Sequence, residues 1–237
     1  MMRLSFVVPL FLVLFAMSSV TAQNNTNILK AFPKFAKLST STNTTQLFFI
    51  TRNSVDKKVV GNPYLSDWRE AFLVSNEDEV FNVRARYRVF DDEFQIMLNG
   101  KVKAVYPQMV KGIIFKDQAF VPAKFEVNDR VAYSFFELKS EGAISLLKRH
   151  GMLVKSTKDG FLKINDQTDD LYYIVDEDDS SKSSVAERLS TKQKDVLKAL
   201  GQYKQEVQTY ASNNAVSYSK EEDIKKLFDY YNSIQEQ

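Results

Sequence analysis

The chain predicts an α+β fold, mainly β: an antiparallel meander sheet or open barrel over residues 47–175, followed by a C-terminal helical hairpin over residues 190–237. Three observations carry this. From Leu47 onward, short apolar or alternating runs recur about every ten residues, each closed by a turn signal. After residue 190 the apolar period lengthens to that of a helix. Aromatic residues make up 13% of the chain against only 7 glycines and 5 prolines, a composition that builds a packed core. With no cysteine, the fold stands on packing alone.

Residues 1–22 read as a secretory signal peptide. Arg3 gives the basic start, Leu4 to Val20 the apolar run, and Val20-Thr21-Ala22 the small-residue cleavage site, so the mature chain begins at Gln23. Removing 22 of 237 residues leaves 215, enough for one sizeable domain, with no transmembrane segment after cleavage. Arg3 leaves with the leader, so the mature net charge is near zero, which predicts no large field for nucleic acid or a membrane surface. The expected destination is the periplasm, the outer membrane surface or the extracellular space.

Residues 23–46 form a polar Asn/Thr/Ser segment with an apolar insert at Ile28, Leu29, Phe32 and Phe35; its helical spacing is interrupted by Pro33. Strands are expected at 47–51, 71–74, 80–90, 93–98, 102–106, 110–115, 119–125, 131–138, 143–154 and 171–175. Asp91-Asp92, Asn99-Gly100, Asn128-Asp129, Gly142 and Asp159-Gly160 supply turns, because Asn, Asp and Gly tolerate positive φ. Residues 176–189 carry a run of Asp, Glu, Ser and Lys and read as a polar linker. Ser190 with Gln193 suggests a capping box opening a helix through Val196, Leu200, Tyr203, Val207 and Tyr210. Ser219 with Glu222 opens a second helix carrying Ile224, Leu227, Phe228 and Tyr231.

No P-loop, G-x-G-x-x-G, G-x-S-x-G or H-E-x-x-H occurs, and the one histidine, His150, has no cysteine or second histidine to join it. No catalytic residue, metal ligand or cofactor is therefore assigned, and His150 reads as structural. The acidic pairs Asp91-Asp92 and Asp169-Asp170 read as solvated turns, with a cation at Asp91, Asp92 and Glu93 as the lesser reading. The polar constellation of most interest is Arg84, Arg86 and Arg88, which alternation puts in a row on one strand face. Three guanidinium groups there suit a sulfated, phosphorylated or uronate-bearing polymer. Tyr64 and Trp68 complete the candidate binding surface. Glu137 and Glu93 are the apolar-flanked acids an enzyme would use.

Gly61-Asn62-Pro63-Tyr64-Leu65, the strand–turn Arg86-Tyr87-Arg88-Val89-Phe90-Asp91-Asp92-Glu93-Phe94, Phe135-Phe136-Glu137 with Gly142 and Leu147-Lys148, and the ending Phe228-Asp229-Tyr230-Tyr231-Asn232 occur in that order. Together they resemble a family of uncharacterised exported proteins of the Bacteroidetes, with a G-x-P-Y-L element, an R-Y-N-x-x-D-D-like strand–turn and a terminal Y-N. The chain departs at Arg88, where that pattern has asparagine. The resemblance implies an exported compartment and an intact fold, and adds no activity or catalytic residue. The expectation is a non-enzymatic binding or envelope-associated protein whose partner is an envelope protein, an anionic polymer or an apolar ligand. The alternatives are a periplasmic carrier of an apolar ligand such as a lipid, which needs a cavity inside the curved sheet, and a carboxylate-dependent hydrolase. In a glycosylating host Asn24 and Asn43 would be sequon sites.

Overall fold

The computed structural model describes residues 28–41, 47, 50–54, 59–175 and 185–235. The leader and its cleavage site, both sequons and the acidic run 176–184 lie outside the described residues. The chain divides into two units, Met1–Lys37 and Leu38–Gln237. In the first, residues 28–30 are helical and a 3-10 turn, Pro33–Phe35, follows, with proline at the helix-starting position where its missing N–H costs nothing.

The second unit is a twelve-stranded mixed sheet with three C-terminal helices. Its strands are β1 (Arg52–Asn53), β2 (Val59–Val60), β3 (Arg69–Ser75), β4 (Val80–Arg88), β5 (Glu93–Leu98), β6 (Lys101–Val105), β7 (Val110–Ile114), β8 (Ala119–Val127), β9 (Arg130–Ser140), β10 (Ile144–Ser156), β11 (Leu162–Val175) and β12 (Val185–Arg188). Asn99 and Gly100, at φ 50° and 72°, close β5 onto β6, and Asn128 and Asp129, at 50° and 58°, close β8 onto β9. Both are two-residue turns with positive φ throughout, whose twist matches the strands they join.

Three expectations change. Leu47 is helical and the Thr51 hydroxyl donates to its carbonyl at 2.7 Å, so the first strand starts at Arg52 rather than spanning 47–51. The last strand expected, 171–175, is the end of the fourteen-residue β11. Its first nine residues are mostly polar and exposed, so they carry no burial signal; they are a strand because β10 pairs with them throughout. Val185–Arg188, inside the predicted linker, forms β12.

β12 changes the topology. It runs parallel to β8 at Val185–Ala186 and antiparallel to β11 at Glu187–Arg188, while β8, β9, β10 and β11 pair in succession. These five strands close a ring, and β7 joins it through the start of β8. The sheet is thus mixed, with a second parallel pairing between β2 and β11. Phe125, Phe136 and Tyr172 are buried in edge-to-face contact on the ring's inner face.

The helical region holds α1 (Gln193–Ala199), α2 (Lys204–Asn213) and α3 (Glu221–Gln235). The single helix expected through Tyr210 is broken at Gly201, whose φ of +58° an L-residue resists, and a 3-10 turn, Gly201–Tyr203, bridges the break. Neither predicted capping box forms: Lys192 is the N-cap of α1 without a side-chain bond, and α3 begins at Glu221.

Two apolar cores result. One lies under β3–β9, with Leu73, Phe81, Phe94, Phe120 and Phe135 at its centre; the other joins Ile144, Leu146 and Leu171 of the ring's outer face to Val196, Val207, Ile224 and Phe228 of the helices. Among the described residues no helix is long and apolar enough to cross a membrane.

Candidate binding site at the mouth of the strand ring

The arginine row exists, but its members meet very different surroundings. Arg84 is exposed and pairs with Glu70 at 3.6 Å. Arg86 is half-buried, its guanidinium 3.7 Å from the centre of the Tyr64 ring and 4.5 Å from that of Trp68; it donates to Gln95 Oε1 at 2.9 Å and to the Tyr64 hydroxyl at 2.8 Å. Arg88 is 1% exposed and ion-paired to Asp91. The row therefore descends from solvent into the protein, and Tyr64 and Trp68 hold the 61–68 loop onto β4 through Arg86. Leu65 N–H adds a 3.0 Å bond to the Tyr87 carbonyl.

In the acidic corner beside it, Asp92 and Glu93 are held by hydrogen bonds within the protein. Asp92 accepts from the Tyr87 hydroxyl at 2.5 Å and from Phe135 N–H at 3.2 Å, while Glu93 accepts from Ser54 at 2.7 Å and Gln95 at 3.2 Å. Burial and Asp92 together push the Tyr87 hydroxyl well above its ordinary range. Among the described residues no group of three or more His, Asp or Glu is arranged to hold a metal.

His150 is buried in a charged seam between the two cores. Along the outer face of β10, Ile144 and Leu146 pack with the helices and Met152 with the sheet core, leaving Lys148 and His150 between them. His150 Nε2 lies 2.9 Å from Glu137 Oε2 and Nδ1 lies 2.9 Å from Asp169 Oδ1. Lys139 bridges Glu137 to Glu221 at 3.3 and 3.1 Å, and Lys148 bridges Asp169 to Glu221 at 2.9 and 3.0 Å, tying the first turn of α3 to the ring. Burial alone would raise the Glu137 carboxyl, but the His150 hydrogen bond and the Lys139 charge outweigh it and bring the carboxyl to about 2. Asp169 is also lowered: burial opposes the shift, and Lys148 and His150 produce it.

The other face of the same strands builds a different site. A concavity of about 1110 Å³ opens at the mouth of the ring, lined by Phe125, Arg149, Tyr172 and Arg188 and by four acids, Asp170 among them. Arg149 stands directly opposite Asp170 and follows Leu147 on the inward face. Its Nε donates to the Ser134 hydroxyl, 0% exposed, at 3.1 Å, and its guanidinium lies 4.7 Å from the centre of the Phe125 ring. Asp170, the carboxylate across from it, pairs with Arg188 instead. Gly151 is the next inward position; a Cβ there would stand 2.7 Å from Thr168 Oγ1, so a larger residue would crowd β11. Among the described residues Arg149 has no carboxylate partner, and it lines the concavity. A guanidinium held by one edge and one face presents its remaining donors to an oxyanion.

Sequence reasoning missed Arg149, Asp170, Tyr172 and Arg188. The signal present was an Arg and a Gly alternating with Leu147 in a strand, but which face was enclosed depended on β12, which read as linker. No family model, no curated protein and no solved structure matches the chain.

Proposed function

We propose that this chain is an exported, non-enzymatic binding module that takes an anionic group of its ligand into the ring mouth, on Arg149. The observation that carries this reading is the half-buried guanidinium, oriented by Ser134 and Phe125 and left without a carboxylate partner among the described residues, at the edge of a concavity large enough for a small molecule or the end of a polymer. The predicted leader and the resemblance to exported proteins of the Bacteroidetes support the compartment. The seam supports binding over acid–base catalysis, because Glu137 and Asp169 are held ionised rather than raised toward a working pH, and both His150 nitrogens are engaged. Phe125, Phe136 and Tyr172 fill the ring's interior, which favours a ligand at the mouth over an apolar cargo inside. The packing of Arg86 and Arg88 moves the anionic-polymer reading from the β4 row to Arg149.

Native mass spectrometry of the protein purified gently from its own host envelope tests this. A discrete added mass is expected on the wild type and absent from Arg149→Gln prepared identically, with the variant's circular dichroism unchanged. A bare wild-type protein, or a mass retained by the variant, overturns the reading.

A further inference from the structure

Beyond the ring, β10 and β11 continue as a two-stranded hairpin. Among the described residues β9 pairs with β10 as far as Lys148, β12 pairs with β11 at Tyr172–Tyr173, and past these points the two residues of β2 add to the ribbon. A two-stranded ribbon in water is marginal on its own, and this one exposes apolar side chains where a solvated hairpin would carry polar ones. Phe161 is 54% exposed, Leu153 and Val60 48% each, and Leu162 39%.

The turn that presents Phe161 is ordered. Thr157 N–H donates to the Phe161 carbonyl at 2.7 Å, Phe161 N–H to the Thr157 hydroxyl at 3.0 Å, and Gly160 N–H to the Thr157 carbonyl at 3.1 Å, with Gly160 at φ +79°. The aromatic ring thus sits at the end of a fixed loop instead of folding back on the ribbon.

The charge around it is mainly positive. Lys155 and Lys163 are directly opposite each other across the ribbon, a like-charge pairing that destabilises an isolated hairpin, and Lys158 is exposed in the turn. Asp159 is the one acid between Leu153 and Ile164. An anionic surface relieves that repulsion while it takes up the apolar end.

We propose that this hairpin tip docks on an anionic lipid surface, with Phe161 and Leu162 entering the interface and Lys155, Lys158 and Lys163 at headgroup level. The combination of an apolar end with long cationic side chains behind it matches the layering of a bilayer interface, in which lysine stems lie along apolar surface and their ammonium groups reach outward. A second copy of the chain fits less well, since tip-to-tip pairing brings the same lysines together. The inference is independent of the ring mouth, which lies elsewhere on the strands.

Flotation of the full mature chain with phosphatidylglycerol-containing vesicles and with pure phosphatidylcholine vesicles decides it. Wild type is expected to float with the anionic vesicles only and to be released by high salt. Phe161→Ser is expected to weaken binding about tenfold, and Lys158→Glu at least about fivefold. Phe161→Trp should show a blue-shifted emission on anionic vesicles beyond that of Trp68 alone. Both side chains are exposed, so unfolding midpoints should match wild type. Flotation by neither or by both vesicle types, or undiminished flotation of Phe161→Ser, overturns the proposal. So does a concentration-dependent dimer abolished by the same substitution, which would make the tip a contact between copies.

Discussion

Arg86 shows how a residue's neighbours decide its role. Its guanidinium, between the Tyr64 and Trp68 rings and bonded to Gln95, fastens a loop to the sheet. Cation–π contacts at such half-exposed sites are worth about 1 kcal/mol each. Arg86→Ala should therefore lower stability by about 1–2 kcal/mol in urea unfolding. Trp68 is the chain's one tryptophan, so the same variant should red-shift its emission and make it more accessible to acrylamide. Unchanged quenching would mean that the loop is held without Arg86. Period-two alternation made the arginine row readable, since Arg84, Arg86 and Arg88 do share a face. Their burial was not readable, because the loop that covers Arg86 packs back from some twenty residues upstream and alternation says nothing about it.

At the scale of elements, the Asn232 side chain fastens α3 to the β9–β10 turn. Asn232, 5% exposed, accepts from Ile144 N–H at 3.1 Å and donates to the carbonyls of Ile144 at 3.0 Å and Glu141 at 3.2 Å. Gly142, at φ +155°, makes room for it: a Cβ there would lie 2.3 Å from Asn232 Cγ. Asn232→Ala strands the buried Ile144 amide and should cost about 2 kcal/mol, read as a lower denaturant midpoint with an unchanged slope. An unaltered midpoint would show that α3 is seated by its apolar face alone. Gly142 and Asn232 both stood among the residues that carried the family resemblance, ninety positions apart, and the fold brings them into contact. The strands from Arg69 to Ser140 were legible because each alternates or runs apolar between turn residues. β12 and the outer half of β11 were not, since backbone pairing rather than side-chain burial makes them strands.

Among the described residues an ionic seam joins the sheet core to the helix-covered core, and the seam titrates. The Glu137 carboxyl is depressed from its ordinary 4.5 to about 2 by His150 and Lys139 against the effect of burial. A depressed carboxyl stabilises the fold above its unfolded value and withdraws that stability as pH falls through the folded one. Stability should therefore decline from about pH 5 toward pH 2, by about 2 kcal/mol for this group once solvent contact is allowed for. Asp169, lowered likewise, adds in the same direction. Denaturant titrations over that range should give a shallower acid limb for Glu137→Gln than for wild type; parallel limbs would place the acid sensitivity elsewhere. His150 makes two 2.9 Å carboxylate contacts, and a single histidine in the sequence gives no hint that lysines and a helix terminus will gather around it.

Ring closure also fixes the order in which the chain can mature. β8 is complete at Val127, but the partner for its Lys124–Phe125 edge arrives only with Val185–Ala186, after three further strands have been made. Until then that edge offers unpaired peptide groups beside the aromatic side chain of Phe125, a template for another chain's strand. Contacts so distant along the chain form slowly. A chain shortened before Val185 would keep most of the sheet yet leave that edge open, so truncation there should raise self-association over that of the full chain.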